Sequence, residues 1–95
     1  MIPQPPTDYS AIVDLPTFCT ITWVNGAGAV SVRHEISTDG GTTYVRLDDD
    51  QVPTTTSDHS LPIKSTCYLR AKSVNADGES GYCAPVVVIT GSYDP

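Results

Sequence analysis

Three features of the 95-residue sequence predict an all-β fold of short antiparallel strands. The clearest is residues 67–74, where Cys67, Leu69, Ala71 and Ser73 alternate with Tyr68, Arg70, Lys72 and Val74. That period of two belongs to a strand with one face in a core and the other in water. The second is composition, since Val, Thr and Ile are frequent while there is only one Trp and one Phe, a mixture that favours strands over helices. The third is that eight Pro and seven Gly fall mostly between the apolar runs, where strand-joining turns need them. The length fits one domain, and a chain of this size buries roughly 60–70% of its unfolded surface, so folding requires no metal.

Taken in order, residues 1–6 carry Pro3, Pro5 and Pro6 and read as an extended arm in polyproline-like geometry. The arm either hangs loosely from the domain or lies on a neighbouring subunit, with Ile2, Pro3, Pro5 and Pro6 as its candidate partner contacts. The folded domain is expected over 7–91 and an exposed polar tail over 92–95. A short strand over 9–13 ends at Asp14-Leu15-Pro16. Residues 17–24 then set Cys19, Ile21 and Trp23 on one face and Thr20 and Thr22 on the other. Trp23 is expected as a packing anchor, the alternative being a ring that stacks on sugar or another ligand. No helical pattern follows Asn25-Gly26-Ala27-Gly28, so this turn is not a phosphate cradle.

In the next strand, 30–37, Val30, Val32, His34 and Ile36 alternate with Ser31, Arg33 and Glu35. His34 is expected as a satisfied or rim-exposed histidine, because His59 brings no metal-ligand spacing with it. Asp39-Gly40-Gly41 marks a hairpin tip that needs positive φ, with 42–47 pairing back. Asp48, Asp49 and Asp50 are expected in a solvated loop, or else as a contact for a divalent ion or a basic partner; the spacing is not that of a calcium loop. Residues 53–60 form a weak strand. After the polar loop of 75–80, a β-branched run opens at Pro85, where a missing N–H is tolerated at a sheet edge.

The net charge of −6 and pI near 4.4 argue against binding nucleic acid through its phosphates. No apolar stretch reaches the length of a membrane span. The first residues lack the basic and apolar regions of a secretory signal, so the protein either works where it is made or is a segment cut from a longer secreted chain. There is no Gly-x-Ser-x-Gly, His-Glu-x-x-His or Cys-x-x-Cys motif. A Cys/His nucleophile assembled from Cys19, Cys67 or Cys83 with His34 or His59 lacks the cationic neighbour that would activate the inward thiols. The expectation is a non-enzymatic protein without a cofactor.

Leu61, Asn75, Gly78, Glu79, Ser80 and Pro85 stand at the spacings found in the last two strands of fibronectin type III domains, and the sequence resembles that family. The resemblance implies an immunoglobulin-like β-sandwich of about seven strands in two antiparallel sheets, with Trp23, Ile21, Leu61 and Leu69 as core anchors. It also places Cys67 where the family has its corner tyrosine, whose hydroxyl ties the corner to the backbone. Either Tyr68 changes register to replace it or a disulfide does so. On the family template Cys19 and Cys67 open their strands near one end of the sandwich. They bridge if their Cα atoms come within about 7 Å, or serve as small buried hydrophobes. Cys83 is expected roughly 25 Å from Cys67, as a free thiol or an intersubunit disulfide partner.

The phrase Ser-Thr-Asp-Gly-Gly-Thr-Thr-Tyr over 37–44 looks like the third-strand hairpin of many fibronectin-type domains, including those of bacteriophage virion proteins. This resemblance, together with a lone immunoglobulin-like domain without a secretory signal, an acidic surface and extended termini, implies a virion component, a capsid decoration or tail or collar protein, binding capsid or tail subunits or its own copies. The alternative is a spacer or weak carbohydrate-binding module of a secreted bacterial enzyme or adhesin.

Overall fold

The computed structural model describes residues 1–14 and 16–91; the predicted tail of 92–95 lies outside the described residues. Eight strands are present among them and there is no helix: β1 Thr7–Asp14, β2 Phe18–Val24, β3 Ser31–Ser37, β4 Val45–Gln51, β5 Thr56–Ser60, β6 Thr66–Asn75, β7 Gly78–Glu79 and β8 Val86–Ile89. They form an immunoglobulin-like sandwich. One sheet has the order β1-β2-β5; the other runs β4-β3-β6, with β7 and β8 both pairing with β6. Those last two strands are the halves of one edge, since β8 pairs with the first part of β6 and β7 with its end.

Alternation decides which side chains meet between the sheets. From β2 come Cys19, Ile21 and Trp23, from β3 Val32, His34 and Ile36, and from β6 Cys67, Leu69 and Ala71, all buried, with Leu61 closing one end. The outward residues of β3 and β6 include Arg33, Glu35, Arg70 and Lys72, half-buried along the opposite face. A β-strand turns successive side chains to opposite faces, so a single core fixes both sets at once.

Several expectations are corrected. Pairing in the third hairpin begins at Val45 rather than at residue 42, because Ser37 and Asp39 organise a longer loop. Ser37 Oγ accepts from the Gly41 amide at 2.9 Å, and the Asp39 carboxylate accepts from the Thr43 amide at 2.9 Å. Gly40 and Gly41 hold φ of 78° and 90°, the left-handed backbone that favours glycine. The acidic triplet lies within β4 and not in a solvated loop. Its alternation sends Asp50 toward the core-side histidine and Asp49 to the outer face, and a register irregularity between His34 and Glu35 sets this phase.

The arm of residues 1–6 is not loosely attached. It packs on its own domain, the Gln4 amide donating to Ala27 O at 2.9 Å, and Pro3 and Pro6 are buried. Gly26 permits this approach, because a Cβ there would stand 1.9 Å from Gln4 O.

The corner also differs from both expected replacements. Tyr68 keeps its outward register opposite Val87, and Cys67 is a free buried thiol. Thr90, 4% exposed, does the tying: its hydroxyl donates to Pro62 O at 2.6 Å and accepts from the Ser65 amide at 2.9 Å. Cys83 stands opposite Ala71, its amide donating to Ala71 O at 2.9 Å. Ala71 is four residues along β6 from Cys67, which brings the two cysteines to about 13 Å at the usual strand rise, half the expected separation and still too far to bridge.

Candidate interaction surface

The outer face of the larger sheet is assembled in rows by strand register. Asp49 on β4, Arg33 on β3 and Lys72 on β6 stand side by side, and Arg46, Glu35 and Arg70 form the adjacent row. Directly opposed residues on neighbouring strands lie close enough for their charges to act on one another. In the second row the signs alternate. Arg70 donates from Nε at 3.0 Å and Nη2 at 2.8 Å to Glu35 Oε1, and the Tyr82 hydroxyl donates to Glu35 Oε2 at 2.9 Å. Burial pushes the Glu35 carboxyl up, but the hydrogen bonds from Arg70 and Tyr82 and the Arg70 and Lys72 charges outweigh it and hold it below the usual range.

The Arg70 guanidinium carbon lies 3.7 Å from the ring centroid of Tyr44 and 3.6 Å from that of Tyr82, so the cation is held between two aromatic faces. Each such contact is worth about 0.5–2 kcal/mol, rising with desolvation. Lys72 Nζ lies 2.5 Å from Glu79 Oε1 and 5.0 Å from the Tyr82 centroid. The Glu79 carboxylate holds the Lys72 ammonium above its usual value, and Lys72 in turn holds Glu79 below its own. The outcome is a patch of Tyr, Arg and Lys side chains held by one another on the outer face of the sheet.

Behind this face lies a buried polar chain. His34 has no exposed surface; its Nδ1 is 2.9 Å from the Tyr9 hydroxyl and its Nε2 is 2.9 Å from Asp50 Oδ2. With an ionised carboxylate at Nε2, the neutral ring donates there and accepts from Tyr9 at Nδ1. Trp23 meets the ring edge-on at 4.6 Å between centroids, and His59 is 6.0 Å away. Burial lowers the His34 pKa, against the pull of Asp50. Burial likewise raises the Tyr9 hydroxyl, with Cys83, Cys19 and Asp50 adding to the effect. This is a satisfied core histidine shut off from solvent.

The core anchors Trp23, Ile21, Leu61 and Leu69 are buried at 2, 0, 5 and 0% exposure. Cys19, Cys67 and Cys83 are free thiols. Burial pushes Cys19 up to about 11, with Cys67 and Asp58 adding to the shift, and raises Cys67 and Cys83 as well. None is poised as a nucleophile, which needs a lowered pKa. Cys83 is half-buried in a mostly apolar groove of about 430 Å³ between the start of β1 and the approach to β8. Of the candidate partner contacts, Ile2 and Asp48 are exposed, Pro5, Asp49 and Asp50 are half-buried, and Pro3 and Pro6 are covered by the chain itself. Among the described residues no group of three or more His, Cys, Asp or Glu side chains is placed to hold a metal ion.

Sequence reasoning missed the Tyr44–Arg70–Tyr82 stack and the Tyr9–His34–Asp50 chain. Alternation puts Arg70 outward and His34 inward, but the partners come from other strands and from the segment before β8, so only register reveals them.

No family model matches the sequence, and no curated relative matches it. Solved structures do match. The twitchin kinase region from C. elegans superposes with a TM-score of 0.86 at 18% identity over 100% of this chain and 18% of that one. Domains from titin match with a TM-score of 0.82 at 19% identity, over 96% of this chain and 33% of that one. The FN5 domain of Drosophila Lar matches with a TM-score of 0.79 at 16% identity, over 96% of this chain and 99% of that one. The chain therefore spans a third or less of the titin and twitchin structures and the whole length of the Lar domain. At these identities the likeness is one of fold, that of fibronectin type III domains.

Proposed function

We propose that the protein is a non-enzymatic interaction and spacer module whose protein partner docks on the outer face of the β4-β3-β6 sheet. The observation that supports it most is Arg70 held between Tyr44 and Tyr82 and anchored on Glu35. Tyr and Arg dominate binding energy at protein interfaces, and side chains already fixed lose little entropy on docking. The two rings each give a face to the guanidinium, which favours a protein contact over the coplanar open platform that a sugar ring stacks on. The narrower role, a virion component docking on a repeating capsid or tail subunit, is suggested by the acidic surface, the extended arm and the resemblance to fibronectin-type domains of bacteriophage virion proteins.

Capture from the native source tests both levels. The wild-type domain retains a protein partner, and Tyr82→Ser, at a position 39% exposed, loses most of it while its amide spectrum stays folded. Equal retention by the variant contradicts the docking face. A repeating shell or tail subunit among the retained proteins supports the virion role, and recovery of the domain as part of a longer secreted polypeptide contradicts it.

A further inference from the structure

We propose that the outer face takes a short acidic segment of a partner protein, its carboxylate received by Arg33 and Lys72; this rests on the interaction-module reading above. Arg33 and Lys72 stand directly opposite each other on β3 and β6, a placement in which like charges repel. One carboxylate serves both, Glu79, at 2.5 Å from Lys72 Nζ but 3.5 Å from Arg33 Nη1. On the other flank Asp49 is engaged by Arg46 and lies 3.6 Å from Arg33 Nε. Three cations thus share two carboxylates, and Arg33 has the weaker claim on each. Its Nε is a buried nitrogen without a hydrogen bond, and a contact of 3.6 Å is beyond hydrogen-bond range.

A further carboxylate laid over this pair relieves the repulsion and engages the Nη groups of Arg33, the buried Nε staying turned toward Asp49. Tyr82, half-exposed beside Lys72, offers an aromatic flank for the apolar part of such a segment. The charge distribution narrows the partner further. Arg33, Arg46, Arg70 and Lys72 are four of the five cations of a chain with net charge −6, so the rest of the surface is strongly negative. A few carboxylates find one favourable place on such a molecule, whereas a long polyphosphate overruns the patch into repulsive surroundings.

The test is an amide and arginine side-chain NMR titration of the whole domain with a capped Glu-Thr octapeptide, alongside its Gln-Thr counterpart. The expected result is shifts confined to the outer face of β3 and β6 and to the Arg33 side-chain N–H, absent with the Gln-Thr peptide. Binding should weaken about tenfold in Arg33→Gln, as loss of a charge-assisted pair implies, and fall sharply at about 0.5 M salt, where screening is short-ranged. Arg33→Lys, which keeps the charge without the fork, should fall between and serves if Arg33→Gln does not fold. Equal shifts from the Gln-Thr peptide, or binding unchanged in both variants, would overturn the acidic assignment. Absence of face shifts with the Glu-Thr peptide overturns it too, while Tyr82-dependent capture of a protein partner would leave the interaction-module reading standing.

Discussion

At the level of single residues, Trp23 and His34 carry different kinds of stability. Trp23 fills the core beneath β2 and donates from Nε1 to Asn25 Oδ1 at 2.8 Å. Trp23→Ala should cost about 3–5 kcal/mol in chemical denaturation, the range for a large-to-small core change; a loss under about 1 kcal/mol would contradict its place between the sheets. His34 makes stability depend on pH. Burial holds its folded-state pKa below the ordinary value, so in the interval between the two the unfolded chain binds a proton that the folded chain does not. Its contribution is complete above about pH 6.5 and declines as the pH falls below that value. Denaturant midpoints between pH 8 and pH 5 should therefore fall more steeply for the wild type than for His34→Gln; parallel curves would rule out the histidine as their source.

At this same scale the sequence showed half of each interaction. The alternation of 30–37 put His34 on the apolar face and Arg33 on the other. It could not show that Asp50 would reach His34, because a register irregularity in the β3–β4 pairing sets which aspartate turns inward.

Among elements, the corner before β6 shows how a missing family feature is replaced. Thr90 at the end of the last strand binds the backbone at Pro62 and Ser65, and the neighbouring Gly91 amide donates to Pro16 O at 2.7 Å. Thr90→Val keeps the shape and removes the hydroxyl. It leaves the part-buried Ser65 amide and Pro62 carbonyl without that partner, which should cost about 1 kcal/mol, read as a lower denaturation midpoint with an unchanged slope. A change within about 0.5 kcal/mol, the range of an ordinary surface substitution, would show that the corner is held by other contacts.

The strands that were legible had a strict period of two and a distinct turn on each side, as β2, β3 and β6 do. The acidic triplet was misread because three successive charges resemble a solvated loop. Each of Asp49 and Asp50 has its counter-charge or histidine on the neighbouring strand, and such a partner has no signature in local sequence. The seat of the arm was out of reach for a similar reason: proline content predicts extension, while packing on the domain depends on Gly26, distant in sequence from Pro3 and Pro6.

For the molecule as a whole, the two sheets present unlike faces. The smaller sheet shows threonines and scattered apolar side chains outward, such as Ile12 and Val24; the larger one collects most of the positive charge of an acidic chain on one patch. The family resemblance reached the sandwich, since turn spacing and core alternation are what define it. The charged outer face was out of reach, because its rows exist only once β4, β3 and β6 are in register.

If partners bind the β4-β3-β6 face as proposed, hydrogen-exchange footprinting of the domain with a captured partner will show it. Exchange should slow in β3, in β6 and around Tyr82 on complex formation, with the loop at residues 25–29 and the arm at residues 1–6 unchanged. Protection confined to that loop and arm, with the sheet face exchanging as in the free protein, would contradict it.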